Sequence, residues 1–156
     1  MPPPIPVIIL RSGRRGLLHV LHYIKAQTLE KRGDHAAALG EAAIALDVFS
    51  AKPGLMYRAA AVRESMAGIL LAMGSLTQAL AQVQQARKTF DTAYGPGVHS
   101  YYLGKAWLTE AKIDRAAGDI PGTRAAAQAA YVHLAASVGE THPLTAEATS
   151  LAHSLH

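Results

Sequence analysis

Apolar residues recur at every third or fourth position through most of the chain, which is the spacing of one buried face of an α-helix. Glycine interrupts this pattern at three places, and each time the next residue is one that favours helix N-termini. The three pairs are Gly33-Asp34, Gly74-Ser75 and Gly118-Asp119. Because glycine readily ends a helix and Asp or Ser can cap the next one, each pair predicts a tight turn between two helices.

The other breaks divide the chain into seven predicted helices. The first is expected over about residues 17–32, the third over 55–73 and the fifth over 98–117. The second, fourth and sixth start after the capping residues and end before residue 52, at residue 94 and near residue 139. A last helix is expected over 143–155, with Thr141 as its cap and Pro143 in its first turn.

The same small, apolar and turn positions return with the three glycines, which are 41 and 44 residues apart. A period of this length is typical of stacked helix pairs. We therefore predict an all-α solenoid of about three helix-turn-helix repeats, at residues 17–54, 55–97 and 98–142, followed by a terminal capping helix. The alternative is a plain closed helical bundle, in which the register of the repeats would have no structural meaning.

The composition fits one helical domain. The chain has 156 residues, of which 50% are apolar and 17% charged, so it can bury its own core. It contains no cysteine, which excludes disulfides, thiolate metal sites and cysteine nucleophiles. No run of about 18 apolar residues occurs, so we expect a cytoplasmic protein that makes no use of a membrane.

The net charge of +4 comes from the first 34 residues, while the rest of the chain is balanced. Residues 1–16, which include Arg11, Arg14 and Arg15, are expected to form a flexible leader or the edge of a longer polypeptide. Since no reading helix or aromatic stacking platform accompanies these cations, we expect no specific binding of nucleic acid.

The repeated positions resemble the tetratricopeptide repeat, whose first helix carries a Trp and a small residue and whose second helix carries small residues. Trp107 lies at the tryptophan position of the third repeat, where the first two have His22 and Arg63. The small positions fall on Ala26, Ala67 and Ala111, then on Ala38 and Ala45, Ala79 and Ala86, and Thr123 and Ala130. The resemblance covers about residues 17–156 and implies a right-handed superhelix.

The long period and the junctions YGPGVHS and VGETHPLTAEATSLA are similar to the kinesin light chain branch of that family and its bacterial relatives. The branch implies repeats attached to signalling proteins. The family also implies a concave groove, lined by the first helix of each pair, in which a peptide lies. Carried onto this chain, the groove positions are Tyr23, Gln27, Lys31, Glu64, Lys105, Leu108, Lys112 and Arg115.

Within this set, Lys105, Leu108, Lys112 and Arg115 are spaced three, four and three residues apart, which places them on one face of a helix. Three cations on that face favour an acidic peptide or a C-terminal carboxylate, held by charge-assisted hydrogen bonds. The alternative is an ordinary solvated face, because exposed helices often carry cations.

Catalytic and metal sites are not predicted. His19 with His22, and His153 with His156, have the spacing of two ligands on one helix, but no further ligand is placed to complete a site. The carboxylates, Glu64 and Glu110 among them, fall where solvent-facing positions are expected. We therefore expect neither an enzyme nor a protein that needs a cofactor.

The expected function is that of a protein–protein interaction scaffold, which binds a peptide or protein, including an acidic segment, in its groove. The alternative is a regulatory or oligomerisation segment of a larger signalling protein, such as a kinase or a transcriptional regulator. In that case its surface would serve assembly and its groove would bind no ligand.

Overall fold

A computed structural model of the chain describes the backbone of residues 7–153 and the side chains of residues 17–153. The described part contains seven α-helices and no strand, so the all-α prediction is confirmed. The helices are α1 Val7–Lys31, α2 His35–Ser50, α3 Met56–Ala72, α4 Leu76–Tyr94, α5 Tyr101–Ala117, α6 Ile120–Val138 and α7 Pro143–His153. A single 3-10 turn, Pro53–Leu55, precedes α3.

The largest difference from the prediction is the start of α1, which begins at Val7 instead of near residue 17. Residues 7–16 of the predicted leader are therefore helical, while residues 1–6 lie outside the described part. Helix α1 starts directly after Pro6, and no further proline occurs before Pro53, so every peptide group in between retains its amide donor.

The three turn glycines end α1, α3 and α5 in the same way. Each has a positive φ, of 79°, 75° and 80° for Gly33, Gly74 and Gly118, which glycine adopts without steric cost. The next residue then donates its backbone N–H to a carbonyl five residues earlier, at 3.0, 2.9 and 2.9 Å. This is the Schellman motif, and its threefold recurrence supports the predicted register.

Of the three residues predicted to cap α2, α4 and α6, two do so through their side chains. Asp34 Oδ1 accepts the backbone N–H of Ala37 at 3.2 Å, and Asp119 Oδ1 accepts that of Gly122 at 2.9 Å. Ser75 makes no such side-chain bond, although it directly precedes α4. Its backbone carbonyl accepts from Ala79 at 2.9 Å, as the carbonyls of Asp34 and Asp119 accept from Ala38 and Thr123, so α4 starts with this bond but without a side-chain cap.

The cap of α7 also differs from the prediction. The residue that directly precedes the helix is His142, whose Nδ1 accepts the backbone N–H of Leu144 at 3.2 Å. Pro143 takes the first position of α7, where its missing donor has no cost. Thr141 therefore lies one residue too early to act as the cap.

Each helix packs against the next one along the chain. In addition, α1 contacts α3, α3 contacts α5, and α5 contacts α7. Within the described part, no helix contacts another that lies more than two places away. The core is correspondingly divided into three apolar clusters, which follow one another from α1 to α7. At the equivalent point of each cluster, sixteen residues after the turn glycine, lie Phe49, Phe90 and Leu134.

The residues at the predicted tryptophan position also lie in equivalent places. His22 Nδ1 lies 2.5 Å from Glu41 Oε2, and Arg63 Nη1 donates to Gln82 Oε1 at 2.8 Å, both across a separation of 19 residues. Trp107 instead packs against two apolar clusters, the one shared by α3, α4 and α5 and the one shared by α5, α6 and α7. At the position of Trp107 in α5, α1 and α3 thus have a polar residue that bonds to the following helix.

None of the described helices combines the length and apolar character that a membrane span requires.

Candidate functional site

Helices α1, α3 and α5 together line a groove with two adjoining cavities. One, the charged cavity, has a volume of about 430 Å³ and is lined by Gln27, Glu30, Lys31, Glu64, Ser65, Gly68, Leu71, Lys105, Thr109 and Lys112. The other, the tyrosine cavity, has about 490 Å³ and is lined by Val20, Tyr23, Gln27, Phe49, Tyr57, Arg58, Ala61, Tyr101, Tyr102 and Lys105. Gln27 and Lys105 border both cavities, so the two form one continuous surface.

Six of the eight groove residues expected from the sequence line these cavities, namely Tyr23, Gln27, Lys31, Glu64, Lys105 and Lys112. Leu108 does not, since it is only 2% exposed and packs in the cluster that joins α5 to α7. Arg115 is exposed near the end of α5 and lines neither cavity. The groove is therefore shorter at this end than the sequence predicted.

Burial of Leu108 follows from a role that its position has in every repeat. Ten residues before each turn glycine, a side chain reaches the first helix of the next repeat. The Tyr23 hydroxyl donates to the carbonyl of Ala61 on α3 at 3.4 Å, and Glu64 on α3 is bonded to α5. Leu108 lies in the apolar cluster that also contains Ala148 and Leu151 of α7. The pKa of the Tyr23 hydroxyl is raised, mainly because this side chain is buried.

The three expected cations do not form a shared free face. Lys105 Nζ lies 2.9 Å from Glu64 Oε2, and Lys112 Nζ lies 2.9 Å from Glu147 Oε1 on α7. Arg115 belongs to neither pair and lies outside the cavities. Because two of the three charges are neutralised by carboxylates of the same chain, the electrostatic reason for an acidic ligand is weakened.

Glu64 is the buried centre of this network, which corrects the expectation that it faces solvent. Its residue is 6% exposed, and Thr109 Oγ1 donates to Glu64 Oε1 at 2.8 Å while Lys105 binds the other oxygen. Burial alone would lower the pKa of Lys105, but the charge and hydrogen bond of Glu64 outweigh it and raise that pKa. The network joins α3 to α5 across the floor of the groove.

Glu30 is the second carboxyl group in the charged cavity. It is half-buried at the end of α1, and its Oε1 lies 3.6 Å from the place that a Cβ on Gly68 would occupy. Burial, followed by the charge of Glu64, raises the pKa of Glu30. Among the described residues, no hydrogen bond or ion pair involves this carboxyl, so it is free to accept a donor from a ligand.

Replacing Glu30 with Gln is expected to increase the free energy of unfolding at pH 7. The raised pKa means that the folded state disfavours the ionised carboxylate, so folding loses stability as the pH rises from the ordinary value of 4.5 through the raised value. The increase in the free energy of unfolding of the Glu30→Gln variant should therefore disappear below pH 4.5. Urea denaturation at several pH values measures it, with Glu140→Gln as a surface control. A less stable Glu30→Gln protein at pH 7 would contradict this assignment.

The tyrosine cavity contains groove residues that sequence reasoning missed. Arg58 donates through Nε to the Tyr57 hydroxyl at 3.0 Å and lies over its ring, 5.7 Å from the centroid. Tyr101 and Tyr102 pack edge to face, with centroids 5.5 Å apart. The sequence does indicate that Tyr57 and Tyr101 belong together. They are 44 residues apart and so occupy the same position relative to the turn glycines.

A third cavity, of about 550 Å³, lies away from the groove at the junction of α4 and α5 and is bordered by Asp91, His99 and His133. The two imidazoles meet edge to face at 5.4 Å. Burial, followed by proximity to His99, lowers the pKa of His133. In the described part of the chain, no group of three His, Asp or Glu residues is arranged to hold a metal ion. His156 of the second predicted histidine pair lies outside that part.

In comparisons with protein-family models and with curated proteins, the chain matches none.

Proposed function

We propose that this chain is a tetratricopeptide-like solenoid that binds an extended peptide segment of a partner protein in the groove of α1, α3 and α5. The observation that carries the proposal is the continuous surface of the charged and tyrosine cavities, to which the first helix of every repeat contributes. Three identical Schellman turns and contacts restricted to helices one or two places apart support an open array of repeats, in preference to a closed bundle.

The two cavities favour different parts of such a peptide. In the tyrosine cavity, the rings of Tyr57, Tyr101 and Tyr102 offer apolar faces with polar tips, which suit an apolar or aromatic anchor side chain. In the charged cavity, Glu30 can accept and Lys31 can donate hydrogen bonds. A peptide backbone carries both donors and acceptors, so an extended segment can satisfy both residues at once.

The charges of the groove favour a partner segment of mixed polarity over a strongly acidic one. Lys105 and Lys112 already have carboxylate partners, and displacing Lys105 would leave the buried Glu64 without its cation. Lys31 is exposed and has no ion-pair partner among the described residues, so it is the cation of the charged cavity that can bind a ligand at the lowest cost.

Selection of random linear peptides on the immobilised protein tests the proposal. We expect selected peptides to lose roughly tenfold or more in affinity, about 1.4 kcal/mol, with Lys31→Glu and with Tyr101→Ala. The matched control is Lys88→Glu, a charge reversal at an exposed position of α4 that lines none of the cavities described above. Lys31 is preferable to Lys105 as a probe, since Lys105→Glu would place two carboxylates together and disturb the fold.

Two outcomes would contradict the groove as a binding site. One is that no peptide is enriched by the wild-type protein. The other is that the enriched peptides bind Lys31→Glu and Tyr101→Ala as tightly as the wild type. Thermal unfolding of each variant, followed by circular dichroism, separates a loss of binding from a loss of structure.

A further inference from the structure

The first helices of the second and third repeats bury one face against the preceding helix pair. The positions concerned lie fifteen, twelve and nine residues before the turn glycine. In α3 they are Ala59, Val62 and Ser65, with 7%, 0% and 8% exposure, and in α5 they are Leu103, Ala106 and Thr109, with 3%, 0% and 8%. These residues therefore mark the surface on which one repeat stacks upon another.

The same positions in α1 are apolar and exposed. They are occupied by Leu18, Leu21 and Ile24, which are 51%, 55% and 50% exposed, and we call these three residues the α1 stripe. The equivalent face is buried in α3 and α5. In α1 it is made of larger apolar side chains, yet no described residue covers it. Exposed apolar surface of this kind, in register with buried interfaces, indicates a docking site for another helix.

The described part of α7 does not favour a second copy stacked head to tail on α1. None of the exposed large apolar side chains lies on α7, and its exposed positions are Pro143, Ala146, Ser150 and His153. A second copy does offer an apolar helix face, namely its own α1 stripe. A contact of one α1 stripe with another is isologous, the type of interface that closes as a dimer.

We propose that two copies of this chain pair through α1, with the two helices antiparallel and Leu21 at the twofold axis. The α1 stripe has the symmetry that this requires, because Leu18 and Ile24 each lie three residues from Leu21 and would face each other across the axis. Leu21 is also close to the middle of α1, which has 25 residues and a length of about 38 Å.

The charges beside the α1 stripe permit this pairing. Lys25 is the charged residue next to Ile24, and its ammonium group is paired with Glu41 of the same chain. In the antiparallel arrangement Lys25 faces Leu17 of the partner, which its aliphatic stem can cover. Between Leu17 and Lys25, the interface therefore buries no unpaired lysine, arginine or carboxylate.

The dimer would leave the groove accessible, since Leu18, Leu21 and Ile24 line neither the charged nor the tyrosine cavity. The proposal rests on the repeat register and does not require that the groove bind a peptide. It also gives the partner protein two grooves per particle, so a partner with two binding segments would gain avidity.

Sedimentation velocity of the full chain across the micromolar range tests the pairing. We expect the wild type to be a dimer and Leu21→Asp to be a monomer with unchanged helical circular dichroism. The control is Val132→Asp, an exposed apolar position on α6 with 43% exposure, which should stay dimeric. A monomeric wild type, or a Leu21→Asp protein that still dimerises, would overturn the proposal and assign the α1 stripe to a different helix.

A cysteine variant keeps the proposal testable if Leu21→Asp unfolds. Because the chain has no cysteine of its own, Leu21→Cys introduces a single thiol. At a twofold axis the two thiols come close enough to form a disulfide under mild oxidation. We expect Leu21→Cys to crosslink much faster than Val132→Cys, and equal rates would overturn the antiparallel arrangement.

Discussion

Replacement of Arg87 by Met should lower the free energy of unfolding by about 3 kcal/mol. The guanidinium of Arg87 on α4 forms a fork with Glu110 on α5, where Nη2 donates to Oε1 at 3.2 Å and Nε binds Oε2. It also lies over the Trp107 ring, 3.4 Å from the centroid. Since Glu110 is 7% exposed, removal of the arginine leaves a buried carboxylate without its cation.

The double variant Arg87→Met, Glu110→Leu distinguishes this cause from a loss of packing. If the uncompensated charge is responsible, the second substitution should restore most of the stability, because an apolar pair can replace a buried ion pair. Arg63→Met is the matched control, since Arg63 also joins two helices but bonds to the neutral Gln82, and it should cost only about 1 kcal/mol. Equal losses for Arg87→Met and Arg63→Met in urea denaturation would show that the buried charge is not the cause.

Gly104→Ala is expected to lower the free energy of unfolding by about 1–3 kcal/mol, although alanine is the better helix former. A Cβ at this position of α5 would lie 2.8 Å from Leu134 Cγ and 3.0 Å from His133 Cβ on α6. These atoms belong to the packed interface between the two helices, and Leu134 is fully buried, so α6 must move to admit the methyl group.

Gly40→Ala gives the opposite expected result and serves as the control. Gly40 is an exposed residue within α2, and a Cβ there meets no atom within 4 Å. The substitution should therefore stabilise the protein by about 0.5–1 kcal/mol through helix propensity alone. If Gly104→Ala proved as stable as Gly40→Ala, α5 and α6 would not pack as closely at Gly104 as described.

The helical architecture could be predicted from the sequence because the residues that end each helix act locally. A glycine with positive φ ends a helix through bonds to its own last turn, so Gly33, Gly74 and Gly118 are recognisable without knowledge of the tertiary fold. The start of α1 was placed too late, because residues 7–16 were expected in a leader and are helical.

The groove could be predicted only in part, because helical periodicity gives the face of a residue and not its partner. Tyr23, Glu64 and Leu108 share one register position, but whether that position opens to the groove depends on the next helix. The ion pair of Lys105 with Glu64 spans 41 residues and that of Lys112 with Glu147 spans 35, so no local pattern reveals them. The burial of Glu64 and of Glu110, which bonds to Arg87 across 23 residues, was missed for the same reason.

The most direct test of the proposed groove is a titration of the isotopically labelled protein with a selected peptide, followed by backbone amide chemical shifts. We predict that the largest changes map to the inner faces of α1, α3 and α5, at Gln27, Gly68 and Lys105 and at their neighbours in the two cavities. Changes confined to α6 and α7, or to the α1 stripe, would contradict the account and place peptide binding elsewhere on the molecule.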